Sequence, residues 1–268
     1  MRSDGVPVPG PSCPAAPPGG GPPAGLPDPP PRVSAVVPAY NEAGRVAATV
    51  RALLNHRVAD EVWVVDDGST DGTAEVAAAA GARVLRLPRR SGKGRALLAG
   101  ARCARAGVLL FADADLGESA AGLARLVAPV LGGEADMCIA APPPRPGRNG
   151  LGVAVGVARW GVQRLTGRRF SAPLSGQRAL SRRVLGALAD TFRPAPAGWG
   201  IEVALTVAAL RAGLRVAELP LDIAHRVTRL DWHGFRHRGT QLAHIAVTLA
   251  RCWALPAPAG RQGTAIRW

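Results

Sequence analysis

Val108-Leu109-Leu110-Phe111-Ala112-Asp113-Ala114-Asp115 joins an apolar run of strand length to two carboxylates separated by one small residue. Residues two apart on a strand point the same way, so Asp113 and Asp115 are placed to face one pocket at the strand's carboxyl end. Two like charges side by side are costly unless a cation or hydrogen-bond donors compensate. Hard divalent ions favour such an oxygen-rich setting, often completed by substrate phosphates. Taken alone, the segment also reads as a solvated turn with two aspartates. The surrounding sequence decides between the two.

Around this segment, strand and helix signals alternate. Apolar β runs fall at 33–37, 61–65, 83–87 and 108–112, with a further short run at 137–140. Between them, helical spacing of apolar residues covers 42–55, an alanine-rich stretch covers 71–80, and further helices are expected at 94–106 and about 119–131. This order requires an α/β fold with a mostly parallel sheet and right-handed crossovers. Such sheets bind their ligands outside the carboxyl ends of the strands. Three polar clusters lie at those ends: Pro38-Ala39-Tyr40-Asn41-Glu42, Asp66-Asp67-Gly68-Ser69-Thr70-Asp71-Gly72-Thr73, and Asp113-Ala114-Asp115. The topology therefore brings them to one rim, which makes a chance surface origin for all three improbable.

The second half is less regular. Pro142-Pro143-Pro144-Arg145-Pro146-Gly147 reads as a linker or loop. Helices are expected over 150–165, around 184–188, over 200–212 and over 240–253, with a late strand at 216–223. Residues 1–31 are rich in proline and glycine with almost nothing to bury, and read as a disordered arm. One domain over 32–253 is expected, divided into halves at 32–141 and 142–253, followed by a flexible tail at 254–268.

The net charge is +14, nearly all of it from arginine, with Lys93 the single lysine. Abundant alanine, glycine, proline and arginine fit a GC-rich coding bias, so the charge is weak testimony for a polyanion partner. No nucleic-acid module signature is present and aromatic residues are few, so no nucleic-acid partner is expected. Cys13, Cys103, Cys138 and Cys252 show no C-x-x-C spacing and read as free thiols. No apolar stretch reaches the ~20 residues that span a bilayer. A cytoplasmic location is expected, with contact to the inner membrane face left open.

Two clusters invite a ligand. Gly68, Ser69 and Asp71 are explained by turn and capping chemistry. Two adjacent carboxylates at the strand end are not, and a carboxylate there can accept from a uracil N3–H or from ribose hydroxyls. Lys93 sits in Ser91-Gly92-Lys93-Gly94-Arg95, a glycine-flanked loop opening a helix, where the helix N-terminus favours anions and the lysine adds a point charge.

Together, Val36-Val37-Pro38-Ala39-Tyr40-Asn41-Glu42, Val64-Val65-Asp66-Asp67-Gly68-Ser69-Thr70-Asp71-Gly72-Thr73 and Phe111-Ala112-Asp113-Ala114-Asp115 resemble the nucleotide-sugar-binding half of family 2 glycosyltransferases. The resemblance implies a GT-A fold, with a Rossmann-like donor half over 32–141 and an acceptor half with a C-terminal helix over 142–253. It implies a hexosyltransferase that uses a nucleotide diphosphate sugar, a UDP-hexose first, with Mg²⁺ or Mn²⁺. Pro38, Ala39, Tyr40 and Glu42 would then frame the nucleoside. Asp67 or Asp66, with Ser69, would hold the base and ribose, and Lys93 the donor phosphates. Asp113 would approach the ribose or the sugar as a donor-site and catalytic residue, and Asp115 would bind the metal.

Three later segments extend the likeness. Pro173-Leu174-Ser175-Gly176-Gln177-Arg178 resembles the acceptor-side loop, which assigns acceptor contacts to Ser175, Gly176 and Gln177. Gly198-Trp199-Gly200-Ile201-Glu202 and Ala224-His225-Arg226 resemble segments of glucosyl-3-phosphoglycerate synthase-like enzymes. They imply an acceptor contact for Trp199, a metal ligand in His225, and a catalytic Glu202 that orients the acceptor or serves as general base. The acceptor stays open between a small molecule and a lipid phosphate. A polyprenyl-phosphate glycosyltransferase at the membrane surface is the alternative enzyme, with the helices around Trp160 and Trp253 as its docking face. A non-catalytic nucleotide-binding module is the alternative of another class. A homodimer is compatible with all three.

Overall fold

The polar segments that follow three neighbouring strands meet at one rim because the register sets those strands side by side. In the computed structural model, which describes residues 32–143, 153–192, 196, 198–222, 232–254 and 265–267, β1 (Val33–Ala39) lies between β2 (Glu61–Asp66) and β4 (Val108–Phe111), parallel to both. Ala39 pairs with Asp66 and Val36 with Phe111, so the segments after all three strands emerge side by side. β3 (Arg83–Arg86) continues the parallel set beyond β2. The helices between them are α1 (Val46–Asn55), α2 (Thr73–Ala79) and α3 (Lys93–Cys103).

After β4, a 3₁₀ turn at Gly117–Leu123 leads into α4 (Ala124–Leu131) and β5 (Met137–Ala141). The second half adds α5 (Val153–Thr166), β6 (Arg178–Ser181), α6 (Arg182–Thr191), α7 (Ile201–Arg211), β7 (Val216–Pro220), α8 (Trp232–Ala254) and β8 (Ala265–Arg267). The eight strands form one sheet in the order β3-β2-β1-β4-β6-β5-β7-β8. Only β6 runs antiparallel to its neighbours, β4 and β5. This is the mostly parallel, helix-flanked sheet that the sequence predicts.

Period-two alternation builds a core on each face of the sheet. Val36, Val65, Leu109, Phe111 and Ile139 face α3 and α5–α8. Val37, Val64, Leu110 and Cys138 face α1, α2 and α4. Gly100 lets α3 settle on the sheet, since a β-carbon there would meet Val36 and Val65 at 2.5 and 2.7 Å.

Several expectations are corrected. The helix expected from residue 42 starts at Val46, because Asn41 takes a left-handed φ of 54° and Glu42 receives the amides of Arg45 and Val46 in a turn. β6 is absent from the sequence reading: four residues, the first an arginine, are too short to show a strand period. The tail expected to be flexible over 254–268 contains β8, which pairs in parallel with β7; without it β7 would leave a row of unpaired main-chain groups at the sheet edge. Cys138 and Cys252 are buried free thiols as expected, whereas Cys103 is disulfide-bonded. Most of the expected linker lies outside the described residues. Among the described residues, no helix is long and apolar enough to cross a membrane.

Candidate active site

Asp113 stands at the centre of the rim, two residues past β4. Lys93 Nζ donates to its Oδ1 at 2.7 Å, and Gln177 Nε2 donates to its Oδ2 at 2.7 Å. These partners come from different halves of the chain. Lys93 is the first residue of α3. Gln177 immediately precedes β6, whose Arg178 pairs antiparallel with Phe111, so the chain entering β6 lies beside the chain leaving β4. One antiparallel strand thereby carries a second-half loop to the first-half rim.

Lys93 also forms an ion pair with Glu202 in the first turn of α7, at 3.4 Å. Glu202 is only 2% exposed, and neither of its carboxylate oxygens has a hydrogen-bond donor among the described residues. Burial raises the Glu202 carboxyl above its ordinary value, while Lys93 and then Arg178 pull it back. Burial alone would depress the Lys93 ammonium, but Asp113 and then Glu202 outweigh it and hold the lysine above its ordinary value. Lys93 is thus a fixed cation between two carboxylates. Gly176 completes the close packing: a β-carbon there would collide with Lys93 Nζ and lie 3.1 Å from Asp113 Oδ1.

The loop that delivers Lys93 is held by the carboxylate pair of the second cluster. Asp67, nearly fully buried, accepts the main-chain N–H of Ser91 at 2.6 Å and of Gly92 at 2.8 Å. Asp66 accepts the Ser69 N–H at 2.9 Å and meets Arg86 at 3.4 Å. Gly68 takes a φ of 79°, and its α-carbon has no room for a substituent because the amide nitrogen of Arg90 would lie 2.9 Å from it. The first and second clusters are stitched together as well. The Asn41 N–H donates to Ser69 Oγ, the Thr70 N–H to Asn41 Oδ1, and the Glu42 N–H to Thr73 Oγ1, each at 2.9 Å. Ala39 O accepts the Asp67 N–H. Tyr40 is exposed beside this seam, with the Arg90 guanidinium 4.1 Å from its ring centre.

The sequence-predicted residues therefore fall into three groups. Pro38, Ala39, Tyr40, Glu42, Asp66, Asp67 and Ser69 line the seam between the first two clusters. Asp113, Lys93, Gln177, Gly176 and Glu202 form one charged knot, with Ser175 bound to it through Gln177 at 3.3 Å. Asp115 stands apart: it is half-buried and makes no hydrogen bond or ion pair among the described residues. His225 and the side chain of Trp199 lie outside the described residues, and no cluster of three metal-ligating side chains occurs within them. Gln177, expected at the acceptor, is fully buried and donates to Asp113.

Sequence reading missed the supports. Thr49 Oγ1 donates to Ala114 O at 2.8 Å and accepts the Gly117 N–H at 2.9 Å, bracing the chain on both sides of Asp115. Glu218 on β7 accepts the Ser171 and Ala172 N–H groups at 2.7 Å each, tying down the approach to Pro173. Arg178 is wholly buried. The available signal was the same for the last two: a charged residue within or opening a short apolar strand rarely stands there without partners.

The protein-family model described as "Glycosyl transferase family 2" matches residues 34–171. Glucosyl-3-phosphoglycerate synthase of Mycobacterium tuberculosis is 33% identical over 247 residues, covering 82% of this chain and 73% of that protein. Glycosyltransferase AglD of Haloferax volcanii is 35% identical over 208 residues, covering 71% of this chain and 32% of its own length. Among solved structures, the M. tuberculosis synthase in complex with Mn²⁺, UDP and glucosyl-3-phosphoglycerate superposes with a TM-score of 0.67 at 28% identity, covering 84% of this chain and 81% of the other.

Proposed function

Because this chain belongs to glycosyl transferase family 2, we propose that it transfers glucose from UDP-glucose, with Mn²⁺ or Mg²⁺, to an acceptor of the phosphoglycerate class. The observation that carries the reading is Asp113, gripped between Lys93 and Gln177 with Glu202 packed behind the lysine. A solvated turn would leave that aspartate to water.

The residues divide the work as follows. The seam of Pro38, Ala39, Tyr40, Glu42, Asp66, Asp67 and Ser69 takes the nucleoside. Lys93, aimed from the N-terminus of α3, meets the sugar-phosphate linkage, where its charge opposes the negative charge that develops as the diphosphate departs. Glu202 is buried beside Lys93, whose ammonium 3.4 Å away opposes its protonation, which favours holding a hydroxyl over proton abstraction from the acceptor. Its two oxygens without donors suit hydroxyl donors on the hexose, since buried carboxylate oxygens require partners. Ser175, Gly176 and Trp199 are the acceptor-side residues of this reading.

The donor set fits a hard divalent ion. Asp115 offers a carboxylate committed to no other group among the described residues, and one or two carboxylates plus substrate phosphates are the usual setting for such ions. Asp115 and His225 would hold it, and when bound it would act as a Lewis acid on the departing diphosphate. The M. tuberculosis synthase, matched over 82% of this chain, is named for a glucosyl-phosphoglycerate product, which supports a small anionic acceptor over a lipid phosphate.

Calorimetry tests the donor site. UDP should bind wild-type protein far more tightly with Mn²⁺ than without it, and Asp115→Asn should abolish that difference while leaving the melting temperature unchanged. Metal-independent UDP binding by the wild type would remove the metal assignment.

A further inference from the structure

Arg178 opens β6 with no part of its side chain in water. Its guanidinium donates four hydrogen bonds: Nε to Ser175 O at 2.8 Å, one terminal nitrogen to Glu202 O and Thr206 Oγ1 at 2.8 Å each, and the other to Pro173 O at 2.6 Å. Every one of these acceptors is neutral. Burying a full charge costs several kcal/mol even after relaxation, and an uncharged side chain of similar volume would spare that cost. The arginine therefore calls for a counter-charge nearby.

Glu202 supplies it. Its main-chain carbonyl is one of the four acceptors, and its carboxylate is buried without a hydrogen-bond donor. From α3 it faces Lys93, from the chain after β4 it faces Asp113, and from β6 it faces Arg178. α8 sets His244 and Thr248 against the Gly198 and Gly200 positions of the turn that precedes it. Lys93 pairs with both carboxylates, at 2.7 Å from Asp113 and 3.4 Å from Glu202. Arg178 adds a second buried cation beside Glu202, with Glu218 a further carboxylate acting on the guanidinium.

We propose that Arg178 is a positioning residue whose buried charge keeps Glu202 anionic while its fork fastens the 173–176 loop to α7. It rests on the reading of Glu202 as the carboxylate that accepts the hexose hydroxyls, and it assigns to this chain a charge reserve that touches neither donor nor acceptor. Two features support it. Burial lowers Arg178 to about 10, an effect partly offset by Glu202 and then Glu218, so the guanidinium stays protonated at neutral pH. And its fork spans the two segments, Pro173 to Ser175 and Glu202 to Thr206, between which the acceptor-side loop and the sugar-side carboxylate must keep register.

The test compares wild type, Arg178→Lys and Arg178→Met by two readouts. One is the pH profile of kcat/KM for UDP-glucose turnover with Mn²⁺. The other needs no turnover: the infrared band of the protonated Glu202 carboxyl, identified by its loss in Glu202→Gln, is titrated with pH. Removing the Arg178 charge should raise the proton affinity of Glu202. Both the acidic limb of activity and the infrared midpoint should move up in Arg178→Met by about one pH unit or more, a tenfold change in proton affinity. Arg178→Lys should keep both near the wild-type positions. Arg178→Gln, which keeps amide donors without the charge, carries the same expectation should the methionine variant not fold. A merely structural arginine would lower activity alike at every pH and leave the infrared midpoint in place, which would overturn the proposal. Wild-type protein with no turnover would count against the donor reading, and the infrared midpoint would still decide the part played by Arg178.

Discussion

Gly176 is the residue at which the charged knot is most sensitive to a single atom. A β-carbon there meets Lys93 Nζ and both oxygens of Asp113, none of which can retreat without breaking the bonds that align them. Gly176→Ala should lower kcat by about 10²-fold, the scale expected of an ångström-level displacement of catalytic groups, with the melting temperature little changed. Steady-state kinetics beside a melting curve would check both halves of that expectation. Lys93 carries a pH signature. Its folded value is raised, so its contribution to stability is complete below the ordinary lysine value of about 10.4 and is lost as pH rises through the higher folded value. The unfolding free energies of wild type and Lys93→Met should differ by about 3 kcal/mol, the scale for removing one partner of a buried ion pair. That gap should hold constant from neutrality to about pH 10 and close only above it, as denaturant titrations at several pH values would show. Asp113 and Lys93 were legible at the residue scale, as a carboxylate just past a strand and the single lysine between two glycines, whereas Glu202 came from the resemblance. The part played by Gln177 was not legible, because a side-chain amide gives no hint in sequence of whether it faces a ligand or a neighbouring aspartate.

At the scale of elements, each functional side chain is delivered by a turn that another turn holds. Asp67 ties its two oxygens to the amides of Ser91 and Gly92, and so fixes where α3 begins and where Lys93 points. Asp67→Ala strands two partly buried N–H groups. It should cost roughly 1–3 kcal/mol per group left unsatisfied and weaken UDP binding together with stability. Amide hydrogen exchange at Ser91 and Gly92 should quicken in that variant while the β1 and β2 amides keep their protection; unchanged exchange at both loop positions would contradict the clamp. The parallel strands and their helices were readable because apolar period and turn chemistry agree over 33–131. β6 and β8 were not, for a shared reason. A strand of three or four residues has no period of its own, and both owe their existence to the unpaired edges that β4, β5 and β7 present. The length of α8 was underestimated because the positions around 232–239 are rich in arginine and histidine, which hide helical apolar spacing.

For the whole molecule, the decisive feature is the insertion of antiparallel β6 between β4 and β5. It brings the chain of the second half back to the strand that leads to Asp113, so residues of both halves share one sheet. Strand order is invisible in a single sequence. The three clusters at strand ends nevertheless placed the rim correctly, because parallel strands send their carboxyl ends to the same edge of the sheet whatever the order in which they are laid. The parallel α/β sheet therefore followed from local signals, the GT-A architecture from the resemblance of three motifs, and the acceptor from neither. The account's central claim is glucose transfer from UDP-glucose to a phosphoglycerate-class acceptor. Its most direct test is incubation of the purified chain with UDP-glucose, Mn²⁺ and 3-phosphoglycerate, followed by mass spectrometry of the products. The account predicts UDP and a glucosyl-phosphoglycerate in equal amounts, both lost in Asp115→Asn. Unconsumed UDP-glucose, or release of free glucose with no glucosylated phosphoglycerate, would contradict it.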